Sequence, residues 1–125
     1  LKTDDISQLQ YIYTPTDINL PYANYALIHV FRNRGQGSLI TYNLYLDDTL
    51  LCRVRNNWKT TVKVEIKGNK ILWARTEAKE EIPITIEPGK EYYVRCSIKM
   101  GVMIGQPKLE VVPTDIGRIE FQSIR

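Results

Sequence analysis

Apolar and polar side chains alternate along most of the chain, and the alternation is clearest after the turn at Pro88-Gly89. In that segment an apolar set alternates with a more polar set: Tyr92, Val94, Cys96 and Ile98 against Tyr93, Arg95, Ser97 and Lys99. A period of two residues is typical of a strand with one buried and one wetter face. Residues 88–98 therefore predict a half-buried β-strand.

Seven other segments show strand patterns, at residues 22–32, 40–46, 50–55, 58–67, 71–77, 82–86 and 108–112. The first is apolar on both alternating faces between Ala26 and Phe31, which indicates a central strand covered on both sides. In the third, parity places Leu50, Cys52 and Val54 on the inner face. Pro83 cannot donate to a strand ladder, so its strand is predicted at a sheet edge or at its first paired residues.

Turns rich in Gly, Pro, Asn and Asp separate these segments, and Asp47-Asp48-Thr49 predicts a tight hairpin. Short strands at intervals of about ten residues, with no βαβ rhythm, predict an all-β fold. We expect a single antiparallel β-sandwich, immunoglobulin-like or similar, with seven to eight strands. Residues 22–125 would form this domain, and residues 1–21, which show no sustained period, would form an N-terminal arm or linker.

A short C-terminal helix is predicted after Pro113. Thr114 or Asp115 would cap it, since both side chains can accept a hydrogen bond from a free backbone N–H group. Its apolar stripe would consist of Ile116, Ile119 and Ile124.

Composition narrows the function classes. With 125 residues, 43% of them hydrophobic and 25% charged, the chain falls in the range of ordinary globular domains. A net charge of +3, spread over interleaved acids and bases, argues against nucleic acid as a partner. No apolar run reaches the roughly 20 residues of a membrane-spanning helix. Because the chain begins at Leu1 and not at Met, an upstream leader that has been removed is one expectation.

The sequence gives little indication of a catalytic site. The chain has one histidine, His29, which lies in the middle of an apolar strand, so a packed side chain is favoured over a catalytic base. One His and two Cys far apart in the sequence do not match the spacing of metal ligands, and no cofactor-binding motif is present. We therefore expect neither a bound metal ion nor a cofactor. Cys52 and Cys96 both take inward positions; they are either two separate buried thiols, the favoured alternative, or a bridge across the core.

Two tight carboxylate pairs, Asp47-Asp48 and Glu80-Glu81, are the candidates for glycosidase chemistry outside the arm. Neighbours in a strand point to opposite faces, and neighbours in a turn are normally solvated. The pattern therefore favours no enzymatic role for either pair.

Two candidate interaction surfaces remain. Arg53, Arg55, Tyr93, Arg95 and Lys99 would form a basic, partly aromatic face if their two strands shared a sheet, and such a face suits an anionic glycan, a lipid headgroup or an acidic partner. Solvated strand residues explain the same pattern and are favoured. The second candidate is the uncharged loop that holds Val102, Met103 and Ile104, which is either an exposed contact for a partner or membrane or a lid on the core.

Three segments resemble the uncharacterised bacterial domain-of-unknown-function family 2846. They are residues 26–32 (Ala-Leu-Ile-His-Val-Phe-Arg), residues 45–48 (Tyr-Leu-Asp-Asp), and residues 88–95 (Pro-Gly-Lys-Glu-Tyr-Tyr-Val-Arg) with the loop 101–107 that follows. The resemblance covers residues 24–112 and departs from the family at Lys67-Gly68-Asn69, where the family tends to have Pro-Gly. It implies a small envelope-associated β-sandwich, often a lipoprotein, and carries over no catalytic residues.

The residue patterns predict a non-enzymatic domain that binds a protein partner or an envelope component, and the resemblance implies that this domain belongs to the bacterial envelope. We expect it outside the cytoplasm, in the periplasm or at the outer membrane, with any membrane attachment made through a removed lipid anchor. An enzyme acting on envelope glycans and a structural spacer without a ligand are the alternatives.

Overall fold

The computed structural model describes residues 24–125 as eight strands followed by one helix. The predicted arm, residues 1–21, lies outside the described residues. The elements are β1 (Ala26–Arg32), β2 (Tyr42–Leu46), β3 (Thr49–Val54), β4 (Trp58–Val64), β5 (Gly68–Arg75), β6 (Lys79–Ile86), β7 (Glu91–Met100), β8 (Gly105–Val112) and α1 (Thr114–Ser123).

The strands form two four-stranded sheets. The first sheet has the order β4-β1-β7-β8 and the second has the order β3-β2-β5-β6. One buried apolar cluster contains side chains from both sheets, including Val30, Val94, Leu44 and Leu72, so the arrangement is sandwich-like. The all-β prediction is confirmed for the described residues.

Strand direction departs from the predicted, purely antiparallel arrangement at one place. β1 and β7 pair in parallel, with Leu27 opposite Glu91 and Phe31 opposite Arg95, whereas the other pairs are antiparallel. Parallel neighbours need a long connection between them. Here the chain between β1 and β7 builds the whole second sheet and also β4.

β1 is buried over its full length, as the apolar pattern predicts. Ala26, Ile28 and Val30 belong to the cluster shared by the two sheets, whereas Phe31 packs in a second cluster with Tyr93 and Ile124. The second cluster exists because α1 covers this side of the first sheet.

A β-bulge in the β2–β3 hairpin changes the predicted inner face of β3. Leu44 lies opposite Cys52 and Tyr45 lies opposite Leu50, which leaves Leu51 as the extra residue. An extra residue reverses strand parity beyond it. Leu51 is therefore fully buried and Leu50 is only partly buried, so the prediction for Leu50 is wrong, whereas Cys52 and Val54 are inward as predicted.

The C-terminal helix is present, but its buried face is not the predicted one. Pro113 occupies the N-cap position without a side-chain hydrogen bond, so neither Thr114 nor Asp115 caps the helix. Ile116 and Ile119 are exposed, and the helix buries Gly117 and partly buries Phe121 against the first sheet. Ile124, just beyond the helix, is buried as predicted.

Two smaller predictions can also be checked. β6, which contains Pro83, is an edge strand of the second sheet, as that residue indicates. Cys52 and Cys96 are both buried and both free thiols, as the favoured alternative had it.

Candidate interaction surface

The loop between β7 and β8 and a neighbouring leucine expose a group of large apolar side chains, which we call the apolar tip. The exposed fractions are 95% for Leu39, 80% for Met100, 89% for Val102, 83% for Met103 and 54% for Ile104. Single exposed apolar residues are common on protein surfaces, but a group at one end of a domain is typical of a contact surface. The loop side chains are exposed and do not cover the core, so the lid alternative does not hold, and contact with a partner or membrane stays a prediction.

Glu77, in the turn between β5 and β6, holds the loop in place. Its carboxylate accepts backbone hydrogen bonds from Val102 (2.8 Å), Met103 (3.2 Å) and Ile104 (2.8 Å). Thr76, beside it, donates its hydroxyl to the carbonyl of Gly105. The polar backbone of the loop is therefore satisfied inside the domain while the apolar side chains face outward.

The same contacts shift the acidity of Glu77. Desolvation acts to raise the pKa of its carboxyl group, but the backbone N–H groups of Met103, Val102 and Ile104 together outweigh it and lower the pKa. At neutral pH the side chain is thus a carboxylate whose charge is engaged by the loop.

Leu39 lies in the loop between β1 and β2, which packs against the base of the β7–β8 loop. Gln36 donates its side-chain amide to the carbonyl of Ile98 at 3.1 Å. The buried guanidinium of Arg32 donates to the carbonyls of Gly37 (2.8 Å) and Ile40 (2.7 Å) and so fixes the turn that presents Leu39. Two separate loops therefore contribute to one exposed apolar end.

Two basic residues lie in strands that run to this end of the domain. Arg75 ends β5 two residues before Glu77, and Lys108 lies in β8 four residues after Ile104. Among the described residues neither side chain has an ion-pair partner, whereas Lys99 pairs with Glu80 at 3.3 Å. Arg75 and Lys108 are therefore positive charges that no ion pair within residues 24–125 neutralises.

The basic face predicted from Arg53, Arg55, Tyr93, Arg95 and Lys99 is not assembled. The face could form only if the strands that carry Arg53 and Arg95 lay in one sheet. β3 lies in the second sheet, however, and β7 lies in the first. Arg53 and Arg55 are therefore separated from the other three residues by the core. Sequence parity assigned the faces but held no information on sheet membership.

The β7 members of that predicted face already have partners within the domain. Tyr93 is buried beneath α1, where its ring stacks on His29. Arg95 donates to the carboxylates of Glu120 and Glu110, and the Glu120 hydrogen bond raises the pKa of the guanidinium. These residues anchor the helix to the sheet.

A cleft of about 300 Å³ on the outer face of the second sheet contains residues that the sequence reasoning missed, namely Asn43, Tyr45, Trp73 and Arg75, along with Arg53. Alternation in β2 places Asn43 and Tyr45 on its outer face. The sequence does not reveal that β2 pairs with β5. This pairing places Tyr45 opposite Trp73 and so brings together residues that are far apart in the sequence.

His29 links three elements beneath the helix. Its Nδ1 lies 2.8 Å from the Thr61 hydroxyl and its Nε2 lies 2.7 Å from Glu91. Because the carboxylate can only accept, Nε2 carries the proton and Thr61 donates to Nδ1 when the ring is neutral. Burial lowers the pKa of His29 and outweighs the opposing effect of the hydrogen bond that Nε2 donates to Glu91.

This order of hydroxyl, imidazole and carboxylate also occurs in hydrolases. Here, however, Thr61 and His29 are both buried, and Tyr93 and Phe121 pack on the imidazole ring. Both ring nitrogens are occupied by neighbours in the fold, as the packed-histidine interpretation predicts.

The carboxylate pairs are dispersed over separate contacts. Asp47 accepts the backbone N–H of Ile71, Glu80 pairs with Lys99, and Glu81 pairs with Lys79. No Asp or Glu among the described residues lines the cleft beside Arg34, the cleft beside Trp73 or the cleft beside Trp58. Within residues 24–125 no group of three or more His, Cys, Asp and Glu side chains is placed to hold a metal ion.

Comparisons with known proteins add no relative: no family model, no curated protein and no solved structure matches this chain. In the described part of the chain, no helix has the length and apolar character needed to cross a membrane.

Proposed function

We propose that this chain is a non-enzymatic binding module of the bacterial envelope, with an immunoglobulin-like sandwich related to domain-of-unknown-function family 2846. Its contact surface is the apolar tip, and the envelope component that it contacts is a lipid surface. The observation that carries the proposal is the Glu77 carboxylate, which holds the loop so that Val102, Met103 and Ile104 stay exposed.

The energetics favour a lipid surface. A Val, Leu, Ile or Met side chain gains roughly 1.5–3 kcal/mol when it leaves water completely. Partial insertion of the five side chains of the tip therefore suffices for binding. Arg75 and Lys108 add attraction to anionic headgroups of about 1 kcal/mol for each charge near the surface.

Glu77 limits how deep the tip can go. Its carboxylate is satisfied by backbone N–H groups of the loop, but it remains a charge that hydrocarbon would desolvate at high cost. The tip is thus suited to the boundary between headgroups and acyl chains, as interfacial binding segments are.

A protein partner with a preformed apolar pocket is the second candidate. The same hydrogen bonds that expose the loop also order it before binding, and preordered loops lose less entropy on docking to a rigid partner. This candidate predicts binding that does not depend on lipid.

The non-enzymatic assignment rests on the enclosed His29 and on the dispersed carboxylates. A glycosidase needs two carboxyl groups on either side of a cleft, about 5–9.5 Å apart. Location outside the cytoplasm rests on the family resemblance alone. Fractionation of cells that express the native gene tests that location, and recovery in the cytoplasm would contradict it.

Vesicle co-sedimentation tests the lipid contact. We expect the protein to bind phosphatidylcholine vesicles that contain phosphatidylglycerol, and to bind weakly to phosphatidylcholine alone. Replacing two tip side chains in the double variant V102S/M103S should lower the affinity by about tenfold or more. The matched control I119S replaces an exposed isoleucine on α1, outside the tip. Equal binding of both variants, or no binding by the wild type, would contradict the proposal.

A further inference from the structure

The outer face of the second sheet holds a cleft with an unusual charge balance. Two arginines, Arg53 and Arg75, line it together with the polar and aromatic residues Thr41, Tyr42, Asn43, Tyr45 and Trp73. Among residues 24–125, no carboxylate lines the cleft. A site with exposed guanidinium groups and no internal counter-ion is suited to an anionic ligand.

Arg53 is oriented before any ligand arrives. Its Nη1 donates to Oδ1 of Asn43 at 3.1 Å and its Nη2 donates to the hydroxyl of Thr41 at 2.6 Å. Guanidinium has five N–H donors, so these bonds leave donors available for a carboxylate or phosphate. A side chain that is already fixed loses less rotamer entropy on binding.

Arg75 supplies the second cation. It lies directly opposite Lys79 on the neighbouring strand, and like charges in that position repel. Among the described residues Arg75 has no ion-pair partner, whereas Lys79 pairs with Glu81 at 3.3 Å. An anion bound between Arg53 and Arg75 would relieve this repulsion.

The aromatic side of the cleft is also rigid. The rings of Tyr45 and Trp73 stack with centroids 4.3 Å apart and an interplanar angle of 12°. The indole N–H of Trp73 donates to the carbonyl of Asp47 at 2.7 Å, and the Lys79 ammonium lies 4.7 Å from the centre of the Trp73 ring. The stacked Tyr45 and Trp73 rings, which form one wall of the cleft, therefore offer apolar contact without first having to be ordered by the ligand.

We propose that this cleft binds an acidic saccharide. The oxyanion of the sugar, a carboxylate or a phosphate ester, would accept hydrogen bonds from Arg53 and Arg75. The sugar ring would lie against the Tyr45–Trp73 wall, with its hydroxyl groups near the Asn43 amide and the Tyr45 hydroxyl. A volume of about 300 Å³ is at the small end of the range for ligand sites, which fits one or two sugar units.

The five side chains of the apolar tip take no part in this site, and Arg75 is the one residue that it shares with the proposed lipid contact. The site is built from charges and rings of the second sheet, and its test uses small soluble ligands without lipid. Loss of vesicle binding would leave the saccharide site unaffected, and a failed saccharide titration would leave the lipid contact unaffected.

Titration followed by ¹H–¹⁵N NMR tests the site. Glucuronate and glucose 6-phosphate are the probes, and glucose and inorganic phosphate are the comparison ligands. We expect saturable shifts of the Trp73 indole and Asn43 side-chain amide signals with at least one acidic sugar, and the better probe identifies the preferred oxyanion. Glucose and inorganic phosphate should bind at least about tenfold more weakly than that sugar.

Variants make the test specific. R53Q and R75Q should each weaken binding of the acidic sugar by about tenfold, since each removes a charged hydrogen-bond donor. R55Q is the matched control, because it removes the same charge from the same end of β3 but Arg55 does not line this cleft. Absence of saturable shifts, equal binding of inorganic phosphate, or an equal loss in R55Q would overturn the proposal.

Discussion

A β-carbon at Gly101 would overlap the carboxylate of Glu77. Gly101 is the residue that lets the chain pass close enough for Glu77 to accept hydrogen bonds from the three residues that follow. Loop conformation and the exposure of the apolar tip are therefore coupled through this one close approach.

Replacing Gly101 by alanine should loosen the tip without unfolding the domain. The added methyl group displaces the Glu77 side chain, which is flexible, so the loss of global stability should stay below about 1 kcal/mol. Amide hydrogen exchange at Val102 and Ile104 should become faster. G35A is the matched control because a β-carbon at Gly35 meets no atom closer than 3.9 Å. Unchanged exchange in G101A would show that Glu77 does not order the loop.

Acid should destabilise the fold through His29. Its pKa is lowered by burial in the folded state, so the unfolded chain takes up a proton near pH 6.5 while the folded chain does not. The contribution of the neutral His29 to the free energy of unfolding is therefore fully present above pH 6.5. It falls as the pH drops from 6.5 through the folded-state pKa, by at most about 1.4 kcal/mol per pH unit.

Urea unfolding between pH 7.5 and 5.5 measures this dependence. His29 is the only histidine in the chain, so the variant H29Q should show a much flatter profile over this range. Equal slopes for H29Q and the wild type would mean that another group is responsible.

Gly117 should tolerate no side chain, because a β-carbon there would overlap Cβ and Cγ of Tyr93. Overpacking of this kind costs about 1–3 kcal/mol, and the better helix propensity of alanine recovers at most about 1 kcal/mol. We expect G117A to lower the free energy of unfolding by about 1–2 kcal/mol. Q122A, at an exposed position of α1, should have almost no effect; a G117A variant as stable as Q122A would contradict the packing of the helix on Tyr93.

The sequence predicts those parts of the fold that depend on local pattern. Alternation locates the strands, the continuous apolar run marks β1 as a strand covered on both faces, and Pro83 marks an edge. Each of these signals lies within a few residues. They hold no information on which distant strands become neighbours.

The errors follow from non-local effects. The predicted basic face failed because β3 and β7 lie in different sheets. The face of β3 shifted at a bulge, which pattern alone does not reveal. For α1, the close approach at Gly117 leaves Ile116 and Ile119 exposed and turns Phe121 toward the sheet, and only Ile124 of the predicted stripe is buried.

The candidate site was predictable only in part. Val102, Met103 and Ile104 were found because an uncharged apolar loop is conspicuous in a sequence. Glu77, which holds them, lies some 25 residues earlier and gives no local signal. The arginine cleft of the second sheet was missed for the same reason, since pairing of β2 with β5 brings its residues together.

The most direct test of the account uses the two methionines of the chain, Met100 and Met103, which both belong to the apolar tip. Labelling the methionine methyl groups with ¹³C reports on the tip alone. We predict that vesicles containing phosphatidylglycerol and a nitroxide-labelled lipid broaden both methyl signals, while the same vesicles with reduced nitroxide do so much less. Sharp methyl signals in the presence of bound nitroxide vesicles would place the tip away from the lipid and contradict the proposed lipid contact.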